Sequence, residues 1–175
     1  AREAAGSDVD PGVTPDAKAI PLAIEKHLLE GSDLKEAFRR AVSSFEGSHA
    51  IAMTSNLEPG RAYLALRGSG QSLFVGIGDS QYIFASEVYG LIEGTPVFIK
   101  LDGERPRLEG CPESQGQVFV LSNDKGAGLA GIEAFSYDGF PLKISGSDLK
   151  NAEITTRDID RGLHRHYFVK EISDS

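Results

Sequence analysis

Cys111 is the single thiol of this 175-residue chain and the first side chain to consider for nucleophilic chemistry. A cysteine reacts as its thiolate, which needs a neighbouring base or a cationic environment near neutral pH. A free cysteine otherwise behaves as a small hydrophobic residue. The sequence predicts a partly buried or loop thiol, and it assigns no catalytic residue to this chain.

The histidines are the next candidates, as metal ligands. His164 and His166 lie two residues apart, whereas His27 and His49 are distant in sequence. A metal site needs more ligands at short range than this pair supplies. The sequence therefore predicts a solvated pair of histidines in the tail and no metal site.

A run of glycines between residues 68 and 78 raises the alternative of a phosphate-binding loop. Such a loop needs glycines that follow a strand and open a helix, whose first amides bind the anion. These glycines instead separate segments with strand character, which indicates turns and bulges. No cofactor is expected. The glycines concerned are Gly68, Gly70, Gly76 and Gly78.

Composition argues against two classes of partner. The net charge is -8 at pH 7 and the pI is near 5.0, so the phosphates of nucleic acid would be repelled. No run approaches the roughly 18 apolar residues of a transmembrane helix, and residues 1–13 lack a signal-peptide core. One cysteine allows no internal disulfide, which fits a reducing compartment. We expect a soluble cytoplasmic protein without nucleic-acid or membrane partners.

Two helices are predicted to come first. Residues 16–30 place apolar side chains at helical spacing up to Gly31, and residues 34–45 form a second apolar face that ends at Gly47. Ser32 is the candidate N-cap of the second helix. Because the connection is so short, the two helices are expected to pack as a pair.

From residue 48 onward, short apolar or alternating runs are separated by turn residues, which predicts antiparallel strands. The predicted strands are residues 48–55, 61–67, 72–77, 81–85, 96–101, 105–108, 117–121, 132–135 and 141–144, with a short helix at residues 86–92. The fold class is therefore α+β. Two helices cannot cover both sides of such a meander, so one sheet face is expected to need a partner outside this chain.

Residues 45–104 resemble the glutaminase domain of the glutamine–fructose-6-phosphate amidotransferases. That family has a helix ending in Leu/Phe-x-Gly and then a strand GxYAIAV, and residues 45–53 read FEGSHAIAM. The family continues AxRxGSPLVIGLG, and residues 65–78 read ALRGSGQSLFVGIG. An FIASD element and a hairpin ending in Gly-Glu are similar to residues 82–87 and 97–104.

The tail carries a second match. The family leaves its glutaminase domain through YRHYMxKEIxEQP, and residues 164–175 read HRHYFVKEISDS. The matches together cover roughly residues 16–104 and 157–175. Residues 111–152 have no clear counterpart and are expected to be an enlarged connecting segment.

The resemblance implies part of a four-layer αββα fold of the N-terminal-nucleophile type. It also implies that glutamine is hydrolysed and that the ammonia passes to fructose 6-phosphate in a separate sugar-isomerase domain. Glutamine and that domain are thus the expected partners, and a homodimer stays open. The chain is expected to be one domain, with a flexible start at residues 1–13, helices and strands at 14–110, the extension at 111–152 and an exit segment at 153–175.

The chain lacks the family's catalytic groups. The family's nucleophile is an N-terminal cysteine whose own α-amine can act as the base, whereas Cys111 is internal and its nitrogen is part of a peptide bond. The family's Asn-Gly oxyanion hole is also absent. We expect an inactive part of an amidotransferase. The alternatives are a non-catalytic scaffold or regulatory domain of the same fold and, without the resemblance, a generic α+β binding module.

Asp16 is the one candidate substrate-binding residue. In the family, a Thr-Asp-Thr-Glu motif opens the first helix, and its aspartate holds the α-ammonium of glutamine. Asp16 lies four residues before Ile20, as the family's aspartate precedes its isoleucine, and a carboxylate there would make a charge-assisted hydrogen bond. A surface acid that stabilises the helix N-terminus is the other interpretation.

Overall fold

The computed structural model describes residues 16–124, 126–153 and 164–166. The expected flexible start and most of the expected exit segment lie outside these residues. Helix α1 spans Ala19–Leu29 after a 3-10 turn at Asp16–Lys18, and helix α2 spans Leu34–Ser43. None of the described helices is long and apolar enough to cross a membrane.

The N-cap of helix α2 lies one residue later than the sequence predicts. The prediction of Ser32 as its N-cap is wrong, because the side chain of Asp33 accepts a hydrogen bond from the backbone N–H of Glu36 at 2.8 Å. The Ser32 hydroxyl instead accepts a hydrogen bond from Arg40. A carboxylate at the N-cap also interacts favourably with the positive end of the helix dipole.

Nine antiparallel strands form two sheets in the described residues. The strands are β1 His49–Thr54, β2 Arg61–Arg67, β3 Phe74–Ile77, β4 Tyr82–Ala85, β5 Val97–Lys100, β6 Gln117–Ser122, β7 Ile132–Ser136, β8 Pro141–Leu142 and β9 Lys150–Asn151. Sheet A has the order β1-β2-β6-β7-β8, and sheet B has the order β4-β3-β5-β9. The α+β class is confirmed.

Sheet A is buried on both faces at its centre. In β2, Tyr63 and Ala65 pack against the helix pair, whereas Leu64 and Leu66 pack against sheet B. Strand β6 pairs with β2 in antiparallel register and alternates in the same way. This two-sided burial explains why both strands are nearly continuous apolar runs, since an alternating pattern marks only a half-buried strand.

Three apolar layers hold the fold together. The first lies between the helices and sheet A, and the second lies between the sheets, where Val75 and Ile99 face Leu64 and Phe119. The third is small and covers the outer face of sheet B, where Leu91 packs on the Phe74 and Phe98 rings. No second helical layer lies among the described residues. A 3-10 turn at Val88–Gly90 takes the place of the helix predicted at residues 86–92.

The sandwich is open at strand β1, and we call this its open side. Strands β1 and β4 are each an edge strand of their sheet. Ala50 and Ala52 oppose the fully buried Leu66 and Leu64, so they point toward the space between the sheets, yet both are exposed. Phe84 of β4 opposes the buried Val75 and is 38% exposed. Tyr82 of β4 still packs against the inter-sheet core, whereas on the β1 side that core ends at β2.

The prediction of a strand at residues 105–108 is wrong. This segment forms a single isolated bridge between Pro106 and Gln115. Proline has no N–H to donate to a ladder, so the segment cannot pair regularly. Residues 112–151 supply four strands, β6 to β9, and β6 is a central strand of sheet A.

We expect Phe38→Ala to destabilise the fold strongly. Phe38 is fully buried between α2 and sheet A, with its ring centroid 5.6 Å from that of Tyr63. Emptying such a site costs about 3–5 kcal/mol. Urea denaturation followed by circular dichroism measures the loss. Leu29→Ala on the 84% exposed Leu29 is the matched control, and equal losses for the two variants would contradict this packing.

Candidate functional site

The candidate residue Asp16 lies at the first position of the 3-10 turn that leads into α1. Its backbone is described, but its side chain lies outside the described part of the chain. Its role in substrate binding therefore stays a prediction. The start of the first helix is nevertheless the place where the resemblance puts the residue.

Cys111 lies in the loop before a 3-10 turn at Pro112–Ser114 and is half-buried. Its Sγ is 3.4 Å from a carboxylate oxygen of Glu113, and its backbone N–H donates to the carbonyl of Leu108. Within the described ranges, no group of three or more His, Cys, Asp or Glu side chains could hold a metal ion.

The most connected polar group in the described residues is centred on Tyr137, at the turn between β7 and β8. We call Arg39, His49, Arg67 and Tyr137 the Tyr137 cluster. Tyr137 is fully buried, and its carbonyl accepts hydrogen bonds from Arg39 at 2.5 Å and from the Ser43 hydroxyl at 2.9 Å. The turn is thereby attached to helix α2.

His49 joins the start of β1 to this cluster. Its Nε2 lies 2.9 Å from the Tyr137 hydroxyl, and its Nδ1 lies 3.2 Å from the carbonyl of Gly47. The carbonyl can only accept, so Nδ1 carries the proton and Nε2 accepts from the phenol. Burial lowers the pKa of His49, and the nearby Arg67 lowers it further, so the neutral ring is favoured.

Arg67, at the end of β2, stacks its guanidinium 4.5 Å from the centroid of the Tyr137 ring. Its Nε donates to the carbonyl of Gln115, and its Nη1 lies 3.4 Å from the carbonyls of Ser43 and Phe45. A cation at these carbonyls stabilises the C-terminal end of α2. Arg67 thus links α2, β2 and the loop before β6.

Close packing around Tyr137 requires a glycine. Gly116 has a φ of 102°, and a Cβ there would lie 2.9 Å from the Tyr137 ring and from the carbonyl of Leu66. On the other side of the turn, Arg107 donates to Asp138 at 2.5 Å and lowers the pKa of that carboxyl to about 2. Both contacts fix the turn against the loop of residues 101–116.

A groove of about 1110 Å³ opens over the Tyr137 cluster. Its lining includes serines, two arginines and several acidic residues, with the buried Tyr137 beneath them. These groups can bind and orient a polar ligand, but they do not pair a nucleophile with a base. Its lining residues include Glu46, Ser48, Arg67, Ser69, Glu104, Glu113 and Tyr137.

Sequence reasoning did not find the Tyr137 cluster. Asp138-Gly139 predicts a turn and is one, but nothing in the sequence connects that turn with His49 or Arg67, which lie 88 and 70 positions away. The one available signal is a histidine at the start of an otherwise apolar strand. A histidine there needs a polar partner, because burying it unpaired is costly.

Comparison with known proteins identifies the relatives of this chain. It is 38% identical over 135 residues, 73% of its length, to the "Glutamine--fructose-6-phosphate aminotransferase [isomerizing]" of Methanothermobacter thermautotrophicus. It is 28% identical over 159 residues, 91% of its length, to the proteins of that name from Geobacillus kaustophilus and Xylella fastidiosa. No family model matches the chain.

The chain is homologous to one segment of the isomerizing glutamine–fructose-6-phosphate aminotransferases. The family resemblance is thereby confirmed. The chain spans 22% of the archaeal aminotransferase and 23% of the Geobacillus aminotransferase. Most of the length of these aminotransferases therefore has no counterpart in the chain.

We expect His49 to make the stability of the fold depend on pH. Its pKa in the folded state is lowered from 6.5, so the unfolded state binds the proton more tightly. Stability is then greatest above pH 6.5 and falls as the pH falls from there through the lowered folded pKa. Urea midpoints between pH 5 and pH 8 measure the effect.

His49→Gln is expected to remove this step, because the amide oxygen can still accept from Tyr137 but does not titrate in this range. His27→Gln, on α1 outside the cluster, is the control and is expected to keep the step. An unchanged pH profile in His49→Gln would show that another group is responsible.

Proposed function

We propose that this chain is the later part of the glutaminase domain of a glutamine amidotransferase that serves amino-sugar synthesis in the cytoplasm. The observation that carries the proposal is the homology to the isomerizing glutamine–fructose-6-phosphate aminotransferases. In the complete enzyme, glutamine is hydrolysed at this domain and the ammonia aminates fructose 6-phosphate at an isomerase domain. Asp16 holds the α-ammonium of glutamine.

The open side of the sandwich supports this proposal. Strand β1 is an edge strand, and its inward-facing Ala50 and Ala52 are exposed. Sheets in a packed domain bury their inner faces and protect their edges. A further segment of the enzyme adds strands at β1 and β4 and brings the N-terminal cysteine and the oxyanion hole.

A non-catalytic domain of the same fold is the second candidate. It is favoured by Cys111, whose backbone nitrogen is tethered and whose side chain lies beside Glu113, and by the lack of an Asn-Gly pair in the chain. Such a domain would act as a scaffold or regulator attached to a sugar isomerase. The two candidates differ in whether added strands restore glutamine hydrolysis.

The chain by itself is expected to release no glutamate from glutamine and to resist a cysteine-alkylating glutamine analogue. In the decisive experiment, the chain is co-expressed with the region of the archaeal aminotransferase that precedes the matching segment. Restored hydrolysis that is lost in Asp16→Asn supports a glutaminase. A stable complex without hydrolysis favours the non-catalytic domain, and analogue-sensitive turnover by the chain alone would contradict the proposal.

The open side is expected to make the isolated chain bind a hydrophobic dye and self-associate. Ala52→Lys places a charge on the exposed inner face of β1, so we expect less self-association and an unchanged urea midpoint. Ala17→Lys, at an exposed position in the turn before α1, is the control with the same substitution and the same charge change. Sedimentation velocity measures the change. Equal behaviour of both variants would show that the edge of β1 is not the contact.

A further inference from the structure

Helix α1 is apolar on two sides, and only one of these sides is packed. Ile20, Ile24 and Leu28 face the first apolar layer, between the helices and sheet A. Leu22 and Leu29 take part in none of the three apolar layers of the described residues, and Leu29 is 84% exposed. A surface helix normally turns charged or polar residues to its outward side. The outward side of α1 therefore has the composition of a helix that packs against a second element.

Leu22 and Leu29 form a stripe along α1, with one charge on each flank. They lie seven residues apart, so on a helix of 3.6 residues per turn they point within about 20° of each other. By the same geometry, Glu25 lies about 50° to one side of the stripe and Lys26 about 50° to the other. Both charged residues are exposed, and within the described residues neither forms an ion pair.

We propose that this side of α1 binds α1 of a second copy of the chain, with the two helices parallel. A two-fold axis along the helices brings each stripe onto its copy, so Leu22 meets Leu22 of the second copy and Leu29 meets Leu29. The same rotation brings opposite flanks together, so Glu25 of each copy faces Lys26 of the other. Flanking pairs of this kind set partner and orientation in paired helices, and a two-fold contact closes at two chains.

The charges decide between the two orientations of the helix pair. In an antiparallel pair the two-fold axis is perpendicular to the helices, so Glu25 would face Glu25 of the other copy and Lys26 would face Lys26. Like charges placed together across an interface are unfavourable. Lys18 lies one turn before Leu22 on the same side, and its flexible stem lets the ammonium point into solvent. The pattern is thus complementary to itself in the parallel orientation, which favours a second copy as the partner.

The contact is expected to be weak and reversible. One helix of 11 residues from each copy offers less than the roughly 1,200 Å² that a stable interface buries. Each copy also has a net charge of -8, although repulsion beyond about 8 Å is screened at physiological salt. We expect a dissociation constant on the order of 100 μM. The proposal uses neither Asp16 nor the edge of β1, so the hydrolysis experiment can fail without changing it.

Disulfide crosslinking of the full chain tests the orientation. In a Cys111→Ser background, Leu29→Cys supplies the one thiol and lies beside its own copy across the two-fold axis, where a disulfide can form. Pairing raises the effective thiol concentration, so at about 100 μM chain we expect a linked dimer about tenfold faster than for Leu57→Cys. Leu57 is 63% exposed and lies between β1 and β2, which makes it the matched control.

Equal crosslinking rates of the Leu29 and Leu57 variants would overturn the proposal. Disulfides that form only in a mixture of Leu22→Cys and Leu29→Cys chains would show an antiparallel pair, which also overturns it.

A charge swap tests the flanking pairs by sedimentation equilibrium. All variants carry Ala52→Lys, so that association through the edge of β1 does not contribute. Lys26→Glu replaces two Glu–Lys contacts by two Glu–Glu contacts and is expected to weaken the dimer about tenfold. Adding Glu25→Lys to the same chain restores opposite charges and is expected to restore the affinity.

The leucine stripe is tested in the same background. Leu29→Glu is expected to abolish the dimer, and Leu57→Glu is the control with the same substitution and charge change. No recovery of affinity in the charge-swapped chain would overturn the proposal. So would a parent chain that stays monomeric up to about 1 mM, because something other than a second copy would then cover this side of α1.

Discussion

The fold depends on one constraint, which is that β2 and β6 are buried on both faces. Leu64 lies opposite Phe119 and Ala65 lies opposite Val118, so each cross-strand pair contributes to one of two apolar layers. Each buried aliphatic side chain contributes roughly 1.5–3 kcal/mol. The helix pair and sheet B are attached to opposite sides of the same two strands, so neither layer can form without them.

The apolar layer between the sheets is incomplete at the neighbouring edge strand, β1. At β1, the inward positions are held by Ala50 and Ala52, and no strand of the described residues covers them. Two stacked sheets are stable where their inner faces meet and unprotected where they do not. The homology to aminotransferases several times longer than the chain gives this open side a ready explanation in the proposed function.

The Tyr137 cluster connects loops that strand pairing does not hold together. Tyr137 and Arg67 connect the end of α2, the start of β1, the end of β2 and the turn after β7 through hydrogen bonds and one stacked guanidinium. Buried polar networks are stabilising only when their members are satisfied. Arg67 donates to three backbone carbonyls and also lines the groove above the cluster.

The sequence by itself determined the helix pair, the order and antiparallel character of most strands, and the resemblance to the aminotransferases. Those features follow from local patterns: helical spacing up to Gly31, alternating or apolar runs, and glycine turns such as Asp138-Gly139. The α+β class and the relationship to the aminotransferases could be predicted because each rests on neighbouring residues. Residues 111–152 have no clear counterpart in the family resemblance, although apolar runs there predict strands and they hold the central strand β6.

Only the tertiary structure decided which strands pair and which side chains meet. An apolar run such as that of β2 or β6 does not specify which strand it pairs with, because hydrophobic burial is not directional. Asp33 rather than Ser32 caps α2, because both residue types can act as an N-cap and the backbone geometry selects between them. His49, Arg67 and Tyr137 are far apart in the chain, so their contact and the groove above them arise from sheet register and loop packing.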